Sequence, residues 1–281
     1  MSRSHLIQHP GPKTSPRRHV VRGLSAPLAF DLSEGMTLMA AVAAAMDKAG
    51  CDTAVIRLDG LKIGPYSYVL PDKSPDDEHV AWYSETHSGE EAVLQQATAI
   101  VGRRNGDWFL HCHAFWEDKN TGRHAGHLLP DQVTLAVHYT GTGHGFIGGC
   151  FEVTADAETN FSFFRPKPLV EAPRVNAAII CLAPHEDLAT SVAELSAELG
   201  FDNPEVLGIG SLIGADFTST PSMESPISEV LLLKGARGGT QGSDPHLPMF
   251  CVDPEGGFFE GDIIRGGAPV CVTFEMILIG E

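Results

Sequence analysis

Long apolar runs are missing from this 281-residue sequence. No segment approaches the roughly 18–20 consecutive apolar residues that a membrane-spanning helix requires, and the first 18 residues lack the continuous apolar stretch of a secretory signal. A nucleophile elbow, a Walker loop and a dinucleotide-binding fingerprint are also absent. We therefore expect a cytoplasmic protein with no membrane partner.

Paired cysteines are missing as well. The six cysteines lie singly along the chain, and none forms a CxxC pair. This spacing speaks against a zinc ribbon and against a disulfide framework. Several of the cysteines stand in apolar runs, so we expect buried, reduced thiols.

Basic residues are few. The chain has 19 Lys and Arg against 36 Asp and Glu, a net charge of −17. Five of the basic residues precede Asp31, the first acid, and the rest of the chain carries 14 basic and 36 acidic residues. Such an acidic body repels phosphate backbones, which disfavours nucleic acid as a partner. We interpret residues 1–18 as a basic disordered tail.

An internal repeat is the most informative feature that is present. The segment 30–52 recurs over 180–202, and each copy reads as a strand end, a polar turn and an amphipathic helix closed by Gly50 or Gly200. A second match relates 108–127 to 244–262 at an offset of 135 residues. The second copy is therefore shorter in its middle, where the first has a polar, proline-rich excursion around residues 71–79.

The repeat divides the chain into a tail (1–18), a first unit (19–141), a glycine-rich connector (142–164) and a second unit (165–281). Each unit contains one helix and several strands joined by hairpin turns. This pattern predicts an α+β fold with two tandem units, each a mainly antiparallel sheet flanked by one principal helix. The glycines over 141–149 lack the Lys-Ser/Thr of a phosphate loop, so we interpret them as a flexible turn.

Three histidines of the first unit form a candidate metal site. Residues i and i+2 of a strand share a face, so His111 and His113 project to the same side. A hairpin centred on Asn120 makes His113 and His127 cross-strand neighbours, about 4.5–5.5 Å apart at Cβ. Three imidazoles with one open position are the ligand set of catalytic zinc. The alternative is three hydrogen-bonded structural histidines; His124 has the wrong parity and is expected at the rim.

Other polar residues near the histidines are candidate acid/base groups. They are Glu85, His87, Glu117 and Asp118. In the second unit the motif is degraded, because His246, Pro248 and Asp262 stand at the positions of the three histidines. Since proline cannot ligate through its side chain, we expect one working site per chain.

These segments resemble the PPC domain (plant and prokaryote conserved domain, also catalogued as a domain of unknown function) once in each unit. The resemblance rests on the following stretches: the Glu34–Leu38 helix start, the strand before Gly60, residues 96–102 and the histidine motif 111–127. Gln96 stands where the family has glutamate, whereas Glu229 keeps that glutamate in the second unit.

The resemblance implies an antiparallel sheet flanked by a helix and a homo-oligomer with trimer-like packing. It also implies a divalent metal ion, zinc by preference, on His111, His113 and His127. Plant relatives carry an AT-hook for DNA, but this sequence has no Arg-Gly-Arg-Pro core.

From these observations we predict a metal-dependent enzyme of small-molecule metabolism. The metal would activate water or polarise a carbonyl or carboxylate substrate for hydrolysis, hydration/dehydration or isomerisation. One alternative is a DNA-binding transcriptional regulator that uses the basic tail. The other is a non-catalytic sensor of a metal or metabolite.

Overall fold

The fold is given by a computed structural model, which describes residues 3–240 and 242–280. Its helices are the short 3-10 helices Arg3–Leu6 and Pro130–Gln132 and the α-helices α1 (Leu38–Ala49) and α2 (Leu188–Leu199). Across these two described ranges, no helix is long and apolar enough to cross a membrane.

Strands make up most of the remaining chain. Those before residue 170 are β1 (Arg18–Leu32), β2 (Thr53–Arg57), β3 (Lys62–Ile63), β4 (Tyr66–Val69), β5 (Pro71–Asp72), β6 (Trp82–Tyr83), β7 (His87–Gly89), β8 (Ala92–Arg104), β9 (Asp107–Asp118), β10 (Gly122–Leu128), β11 (Tyr139–Ile147), β12 (Gly149–Ala155) and β13 (Ser162–Pro168). Those after it are β14 (Ala177–Leu182), β15 (Glu205–Leu212), β16 (Glu229–Leu232), β17 (Pro248–Val252), β18 (Phe258–Asp262) and β19 (Val270–Ile279).

The two units have the same sheet topology. Antiparallel pairing gives the order β1–β11–β2–β8–β9–β10 in the first unit and β14–β19–β15–β16–β17–β18 in the second. The repeat extends to register, since His113 pairs with His127 and Pro248 pairs with Asp262. The predicted α+β fold with mainly antiparallel sheets is confirmed.

Each principal helix begins and ends as the repeat predicts. Thr37 and Asp187 cap α1 and α2 by accepting hydrogen bonds from backbone N–H groups three residues on. Gly50 and Gly200 end the helices at φ of 65° and 72°, in the left-handed region that glycine enters at little cost. Both helices therefore have the same length and the same exit geometry.

The layers follow from the alternation of side chains along the strands. In β2, Ala54 and Ile56 pack with α1, while Val55 between them points to the opposite side of the sheet. There Val55 belongs to a cluster that also contains Ile209 and Ile277 of the second unit. The two sheets thus pack face to face, and the helices cover their outer faces.

Strand β1 belongs to both sheets. Its first six residues, from Arg18 to Gly23, pair with β14, and the residues from Leu24 to Leu32 pair with β11. The backbone hydrogen bonds of one continuous strand therefore hold the two units together.

The predicted glycine connector is a pair of strands instead. β11 and β12 occupy most of 139–155, and the glycines of β11 alternate along the strand. A Cβ at Gly143 would lie 2.5 Å from the carbonyl oxygen of Val55, and one at Gly145 would lie 3.1 Å from Cβ of Cys51. These glycines are present because neighbouring groups approach the strand closely, not because the chain bends there.

The N-terminal segment is held in place by the second unit and by the predicted connector, in contrast to the predicted disordered tail. Ile7 and His9 are buried, and the His9 ring hydrogen-bonds the carbonyl oxygen of Cys271 at 2.8 Å. Glu158 accepts from Thr14 and forms an ion pair of 2.5 Å with Arg17. Residues 1 and 2 of the predicted tail lie outside the described residues.

Candidate metal centre

The β9–β10 hairpin brings the three predicted histidines together. His111 and His113 project from β9 toward the second sheet, whereas Cys112 between them is buried in the cluster around α1. His127 lies opposite His113 on β10. The ring centroids are 4.6 Å apart for His111 and His113, 4.9 Å for His111 and His127, and 5.4 Å for His113 and His127.

A glutamate of the second unit completes the cluster. Glu229, the first residue of β16, places its Oε2 2.6 Å from Nε2 of His113. One ligand atom from each of the three histidines and Glu229 lies within 4.8 Å of the others. The sequence places Glu229 in a strand but does not identify it as a ligand, because it does not reveal which strands of the two sheets face each other.

Two acceptors of the second unit orient the histidine rings. Nδ1 of His113 donates to the carbonyl oxygen of Val230 at 2.9 Å, and Nδ1 of His111 lies 2.5 Å from Oε2 of Glu275. Such partners fix ring orientation and leave Nε2 of each ring for a ligand. The two Nε2 atoms approach to 2.9 Å.

The spacing and donor set fit a divalent metal ion. Zinc–nitrogen bonds of about 2.0–2.1 Å place tetrahedral ligands roughly 3.3 Å apart. To reach that spacing, the 2.9 Å separation must open by about 0.4 Å and the 2.6 Å separation by about 0.7 Å, and pairs of ligand atoms that lie up to 4.8 Å apart must close. Nδ1 of His127 is buried without a hydrogen-bond partner. Such an orphaned nitrogen is costly unless a ligand satisfies it.

Burial sets the protonation of the cluster. Burial, together with the charges of neighbouring imidazoles, lowers the pKa of His111 to about 3 and that of His127 well below its usual value. Both rings are therefore neutral near pH 7, the form that binds metals. Burial is the largest single influence on the pKa of His113 and lowers it, but the charge of Glu229, the hydrogen bonds to Glu229 and Val230, and the charge of Glu275 together outweigh burial, so the pKa is raised. His113 and Glu229 thus share a proton that a metal ion would replace.

Glu275 is fully buried beneath His111. Burial raises the pKa of its carboxyl group to about 8. Near pH 7 the Glu275–His111 pair is therefore neutral, with one proton on the carboxyl group and one on the imidazole ring. Nε2 of His111 can ligate when a metal ion replaces one of these protons and the other lies on Nδ1.

The cluster lies in the wall of a cavity of about 410 Å³ between the two sheets. Phe109, Phe163 and Phe164 form part of the apolar wall, and Tyr83 lies at the rim with its ring centroid 5.4 Å from that of His127. Tyr83 belongs to β6, which pairs with β5 around the excursion that the sequence predicts near residues 71–79. The excursion therefore borders the site.

The predicted acid/base residues lie away from this cavity. Asp118 is on the opposite face of β9, where it accepts hydrogen bonds from Tyr66 and from the turn N–H groups of Asn120 and Thr121. His87 stacks on Tyr68, and Glu85 and Glu117 are exposed. The four residues do not line the cavity with the histidines.

The remaining histidines of the motif are structural. His124 hydrogen-bonds the hydroxyl groups of Tyr68 and Thr121, on the side of the hairpin away from the cluster. In the second unit, Nδ1 of His246 and Asp262 form an ion pair of 3.0 Å, and the His246 side chain is mostly exposed. The degraded copy of the motif is thus a surface pair.

Comparisons with known proteins give structural matches only. No family model matches the sequence, and no curated protein does. Solved structures match about half of the chain. One is a plant- and prokaryote-conserved (PPC) protein. It comes from Pyrococcus horikoshii and shares 16% identity over 56% of this chain and 100% of its own, with a TM-score of 0.38.

Two further matches are similar in extent. A metal-containing protein of Archaeoglobus fulgidus shares 18% identity over 51% of this chain and 94% of its own, with a TM-score of 0.38. A protein of Ralstonia eutropha named for DNA binding shares 12% identity over 48% of this chain and 88% of its own, with a TM-score of 0.36. The predicted resemblance to the PPC domain is confirmed by the presence of a PPC protein among the matches.

The prediction of a metal-dependent enzyme is wrong. The three matched proteins are named for the PPC fold, metal content or DNA binding, and none is named as an enzyme. The candidate acid/base residues also lie away from the histidines, with Asp118 on the opposite face of β9 and Glu85 and Glu117 exposed. The DNA-binding name also runs counter to the expectation that nucleic acid is disfavoured as a partner.

Proposed function

We propose that this protein binds one divalent metal ion, zinc by preference, between its two units and without catalysis. The ligands are His111, His113 and His127 of the first unit and Glu229 of the second. The observation that carries the proposal is the convergence of these four side chains on one another; the buried Nδ1 of His127, which has no hydrogen-bond partner, supports it. Three nitrogens and one carboxylate oxygen form a set that zinc accepts in tetrahedral geometry.

The role of the ion follows from where its ligands originate. Three ligands come from one sheet and one comes from the facing sheet, so a bound ion connects the two units through their side chains. Ligands that are brought together only in the folded chain make metal binding a contribution to folding. The ion therefore fixes the spacing of the two sheets and the shape of the cavity between them.

Zinc titration tests the proposal. Chain purified without a histidine tag and freed of metal by a chelator is titrated with zinc against a chromophoric competitor. We expect about one equivalent of tightly bound zinc per chain. His246→Ala, which removes the surface histidine of the second unit, should leave that equivalent in place. The proposal would be contradicted if the chain bound less than about half an equivalent of zinc, or if His246→Ala abolished zinc binding.

DNA binding is the second candidate function, and the name of the Ralstonia eutropha protein favours it. Among the arginines of the basic N-terminal segment and the loop beside it, the structure distinguishes paired from exposed side chains. Arg17 and Arg18 are engaged by Glu158, Glu186 and Glu194. Arg22 on β1 and Arg174 just before β14 are exposed, and the backbone pairs Gly23 with Asn176 between them. These two arginines are the candidate phosphate contacts.

Fluorescence anisotropy with a labelled duplex tests this candidate. We expect weak binding that falls with salt, because two phosphate contacts give a slope of only about −1.8 in log affinity against log salt. Arg22→Gln combined with Arg174→Gln should abolish it, whereas Lys119→Gln, which removes one charge from the exposed hairpin turn, should not. These arginines would be excluded as the DNA contact if the chain did not bind DNA at about 50 mM salt, or if the double arginine variant and Lys119→Gln both lost DNA binding.

A further inference from the structure

The cavity beside the metal centre has the composition of a small-molecule site. Its volume of about 410 Å³ falls within the roughly 300–1,000 Å³ typical of ligand pockets. Aromatic and aliphatic side chains supply most of the wall, while the histidine cluster supplies a compact polar region. An occupant therefore needs an apolar body and one polar end.

Arg104 determines the charge of that polar end. It is the single lysine or arginine among the residues that line the cavity. The tight turn at Asn105 and Gly106 follows it directly, and Arg104 pairs with Asp107 across the β8–β9 hairpin. This register places Arg104 on the same face of the sheet as Phe109 and His111.

The guanidinium group of Arg104 is oriented but not neutralised. Its Cζ lies 3.5 Å from the ring centroid of Phe109, which holds the planar group by stacking. Among the described residues, no carboxylate forms an ion pair with it within 4.0 Å. A stacked guanidinium keeps its N–H edge available for two parallel hydrogen bonds to a carboxylate.

Acidic groups of the same cavity restrict the ligand to a single negative charge. Glu229 and Glu275 lie beside the histidines, and Asp131 lies at the mouth. Without a metal ion, a doubly charged phosphate would face the charges of Glu229 and Asp131 with one arginine to offset them, since Glu275 is largely protonated near pH 7. A monocarboxylate places only one charge near them, and that charge can face Arg104 or the metal ion.

We propose that this cavity binds a small monocarboxylate with an aromatic or branched apolar body. The body lies against Phe109, Phe161 and Phe163, and the carboxylate is held at Arg104 on the side of the metal centre. The part of the proposal that depends on the ion rests on the metal function proposed above, whereas the contact with Arg104 does not. No turnover is implied, since the predicted acid/base residues lie elsewhere.

Calorimetric titration with phenylacetate tests the proposal on the full chain, with and without zinc. Benzyl alcohol is the neutral analogue. Arg103→Gln is the matched control, because Arg103 is the adjacent residue on the opposite face and stacks on Trp108 at 3.3 Å. We expect phenylacetate to bind at about millimolar or better and Arg104→Gln to weaken it about 10-fold or more. Arg103→Gln should leave the affinity within about twofold.

Several results would overturn the proposal. They are no phenylacetate binding at about 10 mM, equal binding of benzyl alcohol, or equal losses in the Arg103 and Arg104 variants. Zinc content is measured on the same samples. If the chain binds phenylacetate through Arg104 but binds no zinc, the metal function is refuted and the carboxylate site stands. If it binds zinc but not phenylacetate, the carboxylate site is refuted and the metal function stands.

Discussion

Glu229→Gln is expected to weaken zinc binding by about 100-fold, although the residue lies outside the histidine motif. Glutamine keeps the size of the side chain but removes the anionic oxygen 2.6 Å from Nε2 of His113. Loss of a direct ligand should reach or exceed the upper end of the 10–100-fold cost seen for outer partners of metal sites. Competition titration with a chromophoric chelator gives the affinity.

The matched control is Glu260→Gln, an exposed glutamate on β18 of the same unit. It makes the same chemical change away from the cluster and should leave zinc affinity unchanged. Glu275→Gln should weaken zinc binding by roughly 10-fold, an effect between those of the Glu229 and Glu260 variants, because it alters only the hydrogen-bond partner of His111. Equal affinities for the chain and the Glu229 variant would mean that the second unit supplies no ligand.

Zinc affinity should also fall as the pH is lowered. The pairing with Glu229 raises the pKa of His113, and below that pKa zinc must displace a proton from the pair. Affinity should then drop about tenfold per pH unit. In the Glu229 variant His113 loses the group that raises its pKa, so the decline should begin at a lower pH.

Gly143→Ala is expected to lower the free energy of unfolding by about 2–3 kcal/mol, the upper range for overpacking. The new methyl group would lie 2.5 Å from the carbonyl oxygen of Val55 and 2.8 Å from Cα of Ile56. These are backbone atoms of β2, whose neighbour in the sheet is β11. The clash cannot be relieved by a side-chain rotation and must distort the ladder.

Urea denaturation of metal-free chain measures this effect without the contribution of zinc. Thr142→Ala is the control, because Thr142 is the adjacent, exposed residue of β11. It should change the free energy of unfolding by less than about 0.5 kcal/mol. A flexible turn at this position would tolerate both substitutions equally, so equal stabilities would contradict the strand.

The repeat made much of the fold predictable. Matching positions in the two copies gave the helices that end at Gly50 and Gly200, and the centre at Asn120 gave the pairing of His113 with His127. These are local properties, determined by helix caps, strand parity and hairpin length. The three histidines could be placed on one face for the same reason.

The missed features depend on long-range packing. The partners Glu229 and Glu275 contribute to the site only because the two sheets pack face to face. Nothing in the local sequence states which face of β16 meets β9. The glycines of β11 predict a turn from sequence alone, because glycine permits both a bend and a close approach of neighbouring groups. Only the position of the neighbouring strand tells these two roles apart.

Because strand β1 pairs with both sheets, the two units cannot be separated without breaking strand pairing. The first six residues of β1 are the edge partner of the second sheet, although in the sequence they stand at the start of the first unit. A fragment containing the second unit alone would expose β14 with its N–H and C=O groups unpaired, an open template for self-association. The two units are thus not interchangeable modules, because the edge of the second sheet depends on the strand that opens the first unit.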